Sequence, residues 1–355
     1  AHRTELLRAV NSVLDGRQFI LGPEVRAFER EVADHLGTAY AIGVNSGTDA
    51  LVISLRALGV GAGDEVVTTP FTFFATAEAV AILGATPIFI DIDPITYAMD
   101  PSLLEARLTP RTKAILPVHL FGHAAAMDDL LQIAEHTGIP IVEDVAQAFG
   151  GDLNGKRLGT FGDLGTYSFF PSKNLGAFGD GGLIITDDGS LAERVRMLRA
   201  HGGKKKYQNE MLGYNSRLDE LQAALLRVKL RHNDDANRGR QRVAATYADH
   251  LSDVDGITLP SANPGVTHVY HQYTLRIAGG RRDEVADSLA AQAISTMVYY
   301  PIPVHLLPVF SGRHSVGECP IAEKAATEVL SLPIWPTMDN STIERVATSL
   351  RKALG

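Results

Sequence analysis

From Ala39 to Val145 the chain repeats one pattern, in which a short stretch apolar almost throughout is followed by a helix-length segment and then by another apolar stretch. AYAIGVN (39–45), DEVVTTP (64–70), TPIFIDID (86–93), AILPVHL (114–120) and IPIVEDV (139–145) are the apolar stretches. SGTDALVISLRALG (46–59), FATAEAVAILG (74–84) and MDDLLQIAEHTG (127–138) are the helical segments between them. A strand with one wet face alternates apolar and polar side chains, so strands lacking that alternation are covered on both faces. Strands joined through helices run parallel, because a tight hairpin always reverses the chain. The pattern predicts an α/β fold whose mostly parallel sheet is coated with helices. GTYSFF and GGLIITD, further on, are read as antiparallel additions to it.

The flanks obey different rules. Residues 2–14 form an amphipathic pattern with Leu6, Leu7, Val10, Val13 and Leu14 on one side, and a second helix opens at Gly22-Pro23 and is capped by Gly37. Residues 218–251 are helical almost without a break, with a bend expected at HNDDANRG, which includes Gly239. Past Asp255 the order becomes strand (269–277), helix (282–292), strand (295–302), a proline-rich loop and two helices near 320–329 and 341–354. The expected division is a large domain over 15–244 and a smaller α+β domain over 245–355, with residues 1–14 packing on the latter.

A net charge of -8 removes nucleic acid and anionic membrane from the main partners, since either needs a basic face. The single cysteine, Cys319, allows neither an intrachain disulfide nor a cysteine-based metal cluster. His35, His136 and His250 lack metal-ligand spacing, and neither HExxH nor a nucleophile elbow occurs. With a polar, helical start and no apolar run near ~20 residues, the chain reads as a cytoplasmic protein without a leader.

Three places carry chemistry. Lys173 lies between the apolar run Tyr167–Phe170 and a glycine-rich loop (Gly176, Gly179, Gly181, Gly182), with Pro171 and Leu175 beside it. Desolvation there would lower its pKa and free the amine as a nucleophile able to form a Schiff base. Asn45-Ser46-Gly47-Thr48-Asp49 joins a parallel strand to a helix, where backbone N–H groups and the helix dipole suit a phosphate; taken alone, the residues read first as a plain helix cap. Gly59, Gly61 and Gly63 follow a helix rather than a strand, so they read as a cap and turn. Glu143-Asp144 closes a strand, where carboxylates face the crevice of a parallel sheet or else cap the next helix, and Gln147 follows three residues on. An acid for a ring nitrogen, a lysine for an aldehyde and a phosphate cradle are together what pyridoxal phosphate needs.

With these motifs in place, the chain resembles the DegT/DnrJ/EryC1/StrS nucleotide-sugar aminotransferases. The likeness runs through VNSGTDAL (44–51), GDEVVTTPFTFFAT (63–76), GATPIFIDID (84–93), RTKAILPVHLFG (111–122) and VEDVAQAFG (142–150). It continues in SFFPSKNLGAFGDGG (168–182), HGG with Tyr207 (201–207), GYNSRLDELQAALL (213–226), YYPIPVHL (299–306) and VLSLPIWP (329–336). It implies a pyridoxal-phosphate fold of type I and makes Lys173 the Schiff-base lysine and proton shuttle. Asp144 becomes the partner of the pyridine nitrogen, Gln147 the neighbour of the ring hydroxyl, and Gly47, Thr48 and Ser168 the phosphate ligands. Phe73 falls where the family stacks an aromatic ring on the cofactor, although a core aromatic would read the same. Asn215 resembles the asparagine sent into a neighbouring subunit, which implies a homodimer with shared sites; by itself it reads as a turn or cap.

On the substrate side, Lys205, Lys206, Tyr207, Arg217, Tyr299, Tyr300 and His305 are candidates to line a sugar-nucleotide cleft, while Lys204-Lys205-Lys206 also reads as a solvated loop. Most relatives carry histidine where this chain has Tyr299. The implied reaction takes an amino group from an amino acid, glutamate by resemblance, to a keto group of a nucleotide-linked hexose, leaning to C3 over C4. Two rivals stand beside it: a type I enzyme of another reaction on amino acids, and a ligand-binding or regulatory relative without turnover. Relatives acting as dehydratases replace the lysine with histidine, and Lys173 is present.

Overall fold

The computed structural model, which describes residues 2–205 and 207–355, turns the strand–helix repeat into one seven-stranded sheet. Its strands are β1 (Tyr40–Val44), β2 (Glu65–Thr68), β3 (Thr86–Phe89), β4 (Thr112–Ile115), β5 (Val142–Asp144), β6 (Leu164–Ser168) and β7 (Gly182–Thr186). Four pair in the order β1-β7-β6-β5 and three in the order β3-β2-β4. Parallel bridges from Ile115 to Ile141 and from Val118 to Asp144 join the two groups edge to edge. Only β7 runs against its neighbours. GTYSFF, expected to be antiparallel, instead lies parallel to β5, so GGLIITD is the single reversed strand.

Side chains alternate across the sheet as a strand requires. Val67, Ile115, Ile141, Tyr167, Leu183 and Ile185 pack on one face with α2 (Pro23–Leu36), α5 (Met127–Thr137) and α7 (Glu220–Leu230). Val66, Ala114, Val142, Leu164 and Ile184 pack on the other with α3 (Gly47–Ala57), α4 (Ala75–Ile82) and α6 (Gly189–Leu198). Most of these side chains are fully buried, and each then contributes about 1.5–3 kcal/mol of transfer free energy if it is a Val, Leu or Ile.

Helix α1 (Arg3–Gly16) lies against α7 rather than on the C-terminal part, which departs from the expectation for residues 1–14. The helical stretch breaks at Arg231–His232, and α8 (Asn233–Leu251) passes straight through Gly239. A Cβ on Gly239 would collide with the carbonyl oxygen of Pro336, so this glycine permits close packing and makes no bend. Because α8 crosses position 244, the large sheet and the C-terminal part share a helix.

The second half of α8 packs with α9 (Arg282–Ala290), α11 (Asn340–Leu354) and an antiparallel sheet of β8 (Ile257–Thr258), β9 (Tyr273–Ile277) and β10 (Val329–Leu332). Segment 295–302, expected as a strand, makes only the bridge from Met297 to Ser331 and otherwise runs as a loop. Helix α10 (Pro320–Glu328) completes a mixed cluster in which Phe71, Phe89 and Phe121 meet Val304, Phe310 and Ala326. No helix among the described residues is long and apolar enough to cross a membrane.

Candidate active site

The C-terminal ends of β5 and β6 and the first turn of α3 open onto one cavity of about 710 Å³. Strand alternation decides which side chains reach it. Val142 and Leu164 lie on the α3 face of the sheet, so Asp144 and Ser168, two and four residues on, lie on that face too. Both border the cavity.

Asp144 is buried, accepting from Thr76 Oγ1 (2.9 Å) and from the Ala146 N–H (3.1 Å). Burial drives its carboxyl pKa upward against those two bonds and the attraction of Lys173 and His119. No Lys, Arg or His among the described residues forms an ion pair with it within 4.0 Å. Lys173 borders the same cavity, its backbone N–H donating to the Phe170 carbonyl at 2.8 Å. Burial lowers its ammonium pKa to about 8, with Asp144 pulling the other way. An amine so placed is available as a nucleophile at mildly alkaline pH.

The cradle stands opposite the lysine. Ser46 caps α3 by accepting from the Asp49 N–H (3.1 Å), so the ordinary capping reading holds for that residue. Helix geometry still leaves the N–H groups of Gly47 and Thr48 without intrahelical acceptors. A Cβ on Gly47 would lie 2.5 Å from Ser168 Cβ and 3.0 Å from its Oγ, so only glycine brings this turn so near β6. Free N–H donors, a hydroxyl and a helix N-terminus make an anion cradle. Together with a buried carboxylate lacking a cation and a desolvated amine, it fits pyridoxal phosphate.

The other candidates divide. Phe73 is 58% exposed and borders the cavity, so it is no core aromatic; its ring centroid lies 6.4 Å from that of Tyr300. Gln147 accepts from the Phe121 N–H (3.0 Å) and donates to the Tyr300 hydroxyl (2.9 Å), tying the cavity wall to β5. Tyr299 and Tyr300 both border the cavity.

His305 does not. The turn Val304–Leu306 puts Val304 and Leu307 at the cavity and sends His305 behind it, fully buried with Nε2 3.1 Å from Glu323 Oε1. Tyr207 (88% exposed), Lys205, Arg217 and Asn215 lie outside the cavity of this chain. Asn215 is exposed, bridges Ala200 and precedes α7 by several residues, so it caps nothing. Lys206 lies outside the described residues.

Sequence reasoning missed Thr76, which holds Asp144, and His271, which borders the cavity. Thr76 stood within a quoted motif without a role. His271 offered no signal of its own, since the 269–277 pattern also carries Gln272, Thr274 and Arg276.

A family model described as the DegT/DnrJ/EryC1/StrS aminotransferase family matches residues 1–351. The chain is 48% identical to a UDP-N-acetyl-3-dehydro-alpha-D-glucosamine 3-aminotransferase of Acidithiobacillus ferrooxidans, over 99% of this chain and 94% of that one. It is 46% identical to a dTDP-3-amino-3,4,6-trideoxy-alpha-D-glucose transaminase of Streptomyces venezuelae, over 99% of this chain and 92% of that one. Among solved structures, the S. venezuelae protein DesV in complex with a ketimine intermediate superposes with a TM-score of 0.97 at 46% identity, covering 99% of this chain and 95% of that one.

Proposed function

This chain belongs to the DegT/DnrJ/EryC1/StrS aminotransferase family, and from that premise we propose that it moves an amino group from glutamate to the C3 keto group of a nucleotide-linked hexose. The fold is that of the type I pyridoxal-phosphate aminotransferases, and pyridoxal 5'-phosphate is the cofactor. The observation that carries the reading is the convergence of Lys173, Asp144 and the Gly47–Ser168 cradle on one cavity. C3 is favoured because both named relatives, from A. ferrooxidans and S. venezuelae, are described by amino transfer at that carbon.

When bound, pyridoxal phosphate supplies an aldehyde for the amine and a protonated ring that withdraws electrons from the carbon losing its proton. In this reading the N–H groups of Gly47 and Thr48 and the hydroxyl of Ser168 hold the phosphate. Asp144, as a carboxylate, keeps the ring nitrogen protonated, and Thr76 Oγ1 orients its Oδ2. Lys173 Nζ would take and return the proton of the reacting carbon, and the burial that lowers its pKa to about 8 in the cofactor-free chain favours the neutral amine. Gln147 and Tyr300 hold one wall, and Phe73 covers the ring.

We assign Asn215, Tyr207 and Arg217 to the site of a second copy, since all three lie outside this chain's own cavity. The proposed assembly is a homodimer with shared sites in the cytoplasm. The test is to add glutamate to cofactor-loaded protein, then a UDP- or dTDP-linked 3-keto hexose, and to locate the new amino group by NMR. Glutamate-dependent amination at C3 is expected; amination only of 4-keto sugars would overturn the C3 assignment. Mixing Lys173→Ala with Asn215→Ala subunits should restore part of the activity, and no recovery after verified subunit exchange would overturn the shared sites.

A further inference from the structure

One buried hydroxyl fastens the first turn of α3 to the segment that carries Asn215 and Arg217. Exposure alternates along that segment: Ser216 and Leu218 are 0% and 1% exposed, while Asn215 and Asp219 face solvent and Arg217 is half-buried. An extended chain sends successive side chains to opposite sides, so Ser216 and Leu218 point into the fold and Asn215 and Arg217 away from it. The backbone N–H of Asn45 donates to Ser216 Oγ (3.3 Å), and Ser216 Oγ donates to Asn45 Oδ1 (3.1 Å). A backbone N–H can only donate and a hydroxyl has one hydrogen, so each bond fixes the direction of the other.

Asn45 follows β1 and precedes Ser46, the cap of α3, whose first turn forms the anion cradle. Two further ties join the same pieces. A Cβ on Gly43 would lie 2.9 Å from Leu218 Cβ, so this glycine lets the 216–218 segment lie against β1. The Ser216 N–H donates to the Arg199 carbonyl (3.0 Å), and the Arg199 guanidinium donates to the Gly43 carbonyl (2.7 Å). The end of β1, the cradle and residues 215–218 are therefore one unit, in which Ser216 is bonded to the residue beside the cap.

We propose that Ser216 is a positioning residue for two cofactor sites at once: through Asn45 it fixes the phosphate cradle of its own chain, and through its own backbone it fixes Asn215, which serves the site of a second copy. This rests on the reading of Asn215 as a residue of the second copy's site. A phosphate is held best by donors set in place before it arrives, so a contact that sets them adds affinity without touching the ligand. Losing the Ser216 hydroxyl loosens Asn45 and the 215–217 segment together. Both sites then bind pyridoxal phosphate less tightly, although Ser216 does not border the cavity.

The test uses hybrid dimers in which one chain carries Lys173→Ala, so that pyridoxal phosphate followed by borohydride marks Lys173 of the other, live chain alone. The cofactor is titrated and the marked Lys173 counted by mass spectrometry, a readout of binding and not of turnover. Ser216→Ala on the live chain should raise the half-saturating concentration about fivefold through the cradle, the worth of one hydrogen bond. The same substitution on the Lys173→Ala chain should raise it about fivefold through Asn215. Asn45→Ala on the Lys173→Ala chain, whose own site is dead, should still weaken the live site about threefold. Asn45 is exposed, so this variant carries the test if Ser216→Ala does not fold, as judged by circular dichroism. Tyr247→Phe on the Lys173→Ala chain removes a hydrogen bond to the Pro333 carbonyl (2.9 Å) in the C-terminal core and should leave the titration unchanged. An equal weakening by Tyr247→Phe would make the Ser216 effect one of stability and overturn the proposal. So would an unchanged live site with Ser216→Ala on either chain, when Asn215→Ala on the Lys173→Ala chain weakens it. If Asn215→Ala there changes nothing, the reading of Asn215 is overturned, and the proposal with it.

Discussion

Glu143 and Asp144 are consecutive on β5, both carboxylates and both buried, and strand alternation sends them to opposite faces of the sheet. On the α2 side, Glu143 accepts from the N–H groups of Gly159 (2.8 Å), Phe161 (2.7 Å) and Gly162 (2.7 Å), and pairs with His119 Nε2 (2.9 Å). On the α3 side, Asp144 has one hydroxyl and one N–H, and no ion pair. The protein meets every need of the first carboxylate and leaves the second half-met. A buried charge is tolerated when its surroundings neutralise it, so the half-met carboxylate is the one whose partner comes from outside the chain. Glu143 ties the 159–162 loop to the sheet, and under the proposed function Asp144 serves a ligand.

The sharpest break of that comparison is Asp144→Asn, which keeps volume and removes charge. kcat should fall by about 10³-fold, the scale for losing one preorganised electrostatic contact. Stability of the cofactor-free protein should not fall. Burial raises this carboxyl's pKa in the folded state, so wild type loses stability as pH rises from the unfolded value of 3.8 through the folded one. The variant escapes that loss, so denaturant melts should show its advantage growing as pH rises above 3.8. A variant less stable at pH 7, or one with full activity, would make Asp144 structural.

Glu143→Gln should do the reverse. One carbonyl oxygen cannot accept from three N–H groups and a histidine, and the amide NH2 would face donors. The expected cost is about 3 kcal/mol in a urea melt, with activity per folded molecule within about threefold of wild type. Lost activity without lost stability would erase the contrast between the two residues.

Gly47→Ala tests the cradle facing Asp144. Its Cβ would meet Ser168 at 2.5 Å, so α3 and β6 must part, at a strain of about 1–3 kcal/mol. The expected result is cofactor binding weakened about 30-fold by fluorescence titration, at 2 kcal/mol of that range. Unchanged affinity would mean that no ligand sits at that turn.

What the chain discloses in one dimension follows the same divide. The sheet, and the place of Lys173, Asp144 and Gly47 at one cavity, were legible because periodicity and the end of a strand mark them locally. Contacts between distant segments left no such mark. Thr76 bonds Asp144 across 68 residues, Asn237 bonds Asn174 across 63, and Asn174 bonds His271 across 97. His305 was misread because its motif fixed a place on the cavity wall but not which way a three-residue turn points each side chain. Gly239 was misread as a bend because composition cannot distinguish a helix breaker from a glycine that admits Pro336. Local pattern gives the candidate groups, and tertiary contact gives the residues that hold them.

Thr76→Val makes the smallest and most discriminating change, since it leaves both carboxylates in place and alters only how well Asp144 is held. Thr76 Oγ1 has one hydrogen, which goes to Asp144 Oδ2, so in the 2.9 Å contact with Thr72 the Thr72 hydroxyl is the donor. Valine keeps the shape and removes that donor, leaving Asp144 only the Ala146 N–H. The carboxylate form loses about 1 kcal/mol relative to the acid, so the Asp144 pKa rises by under one unit and kcat falls about fivefold. If Asp144 acts as the carboxylate, as the proposed function requires, a higher pKa moves the acid limb of the pH profile of kcat to higher pH. If the acid limb stays in place while kcat falls, Thr76 acts on packing alone, and the half-met state of Asp144 owes nothing to its hydroxyl partner.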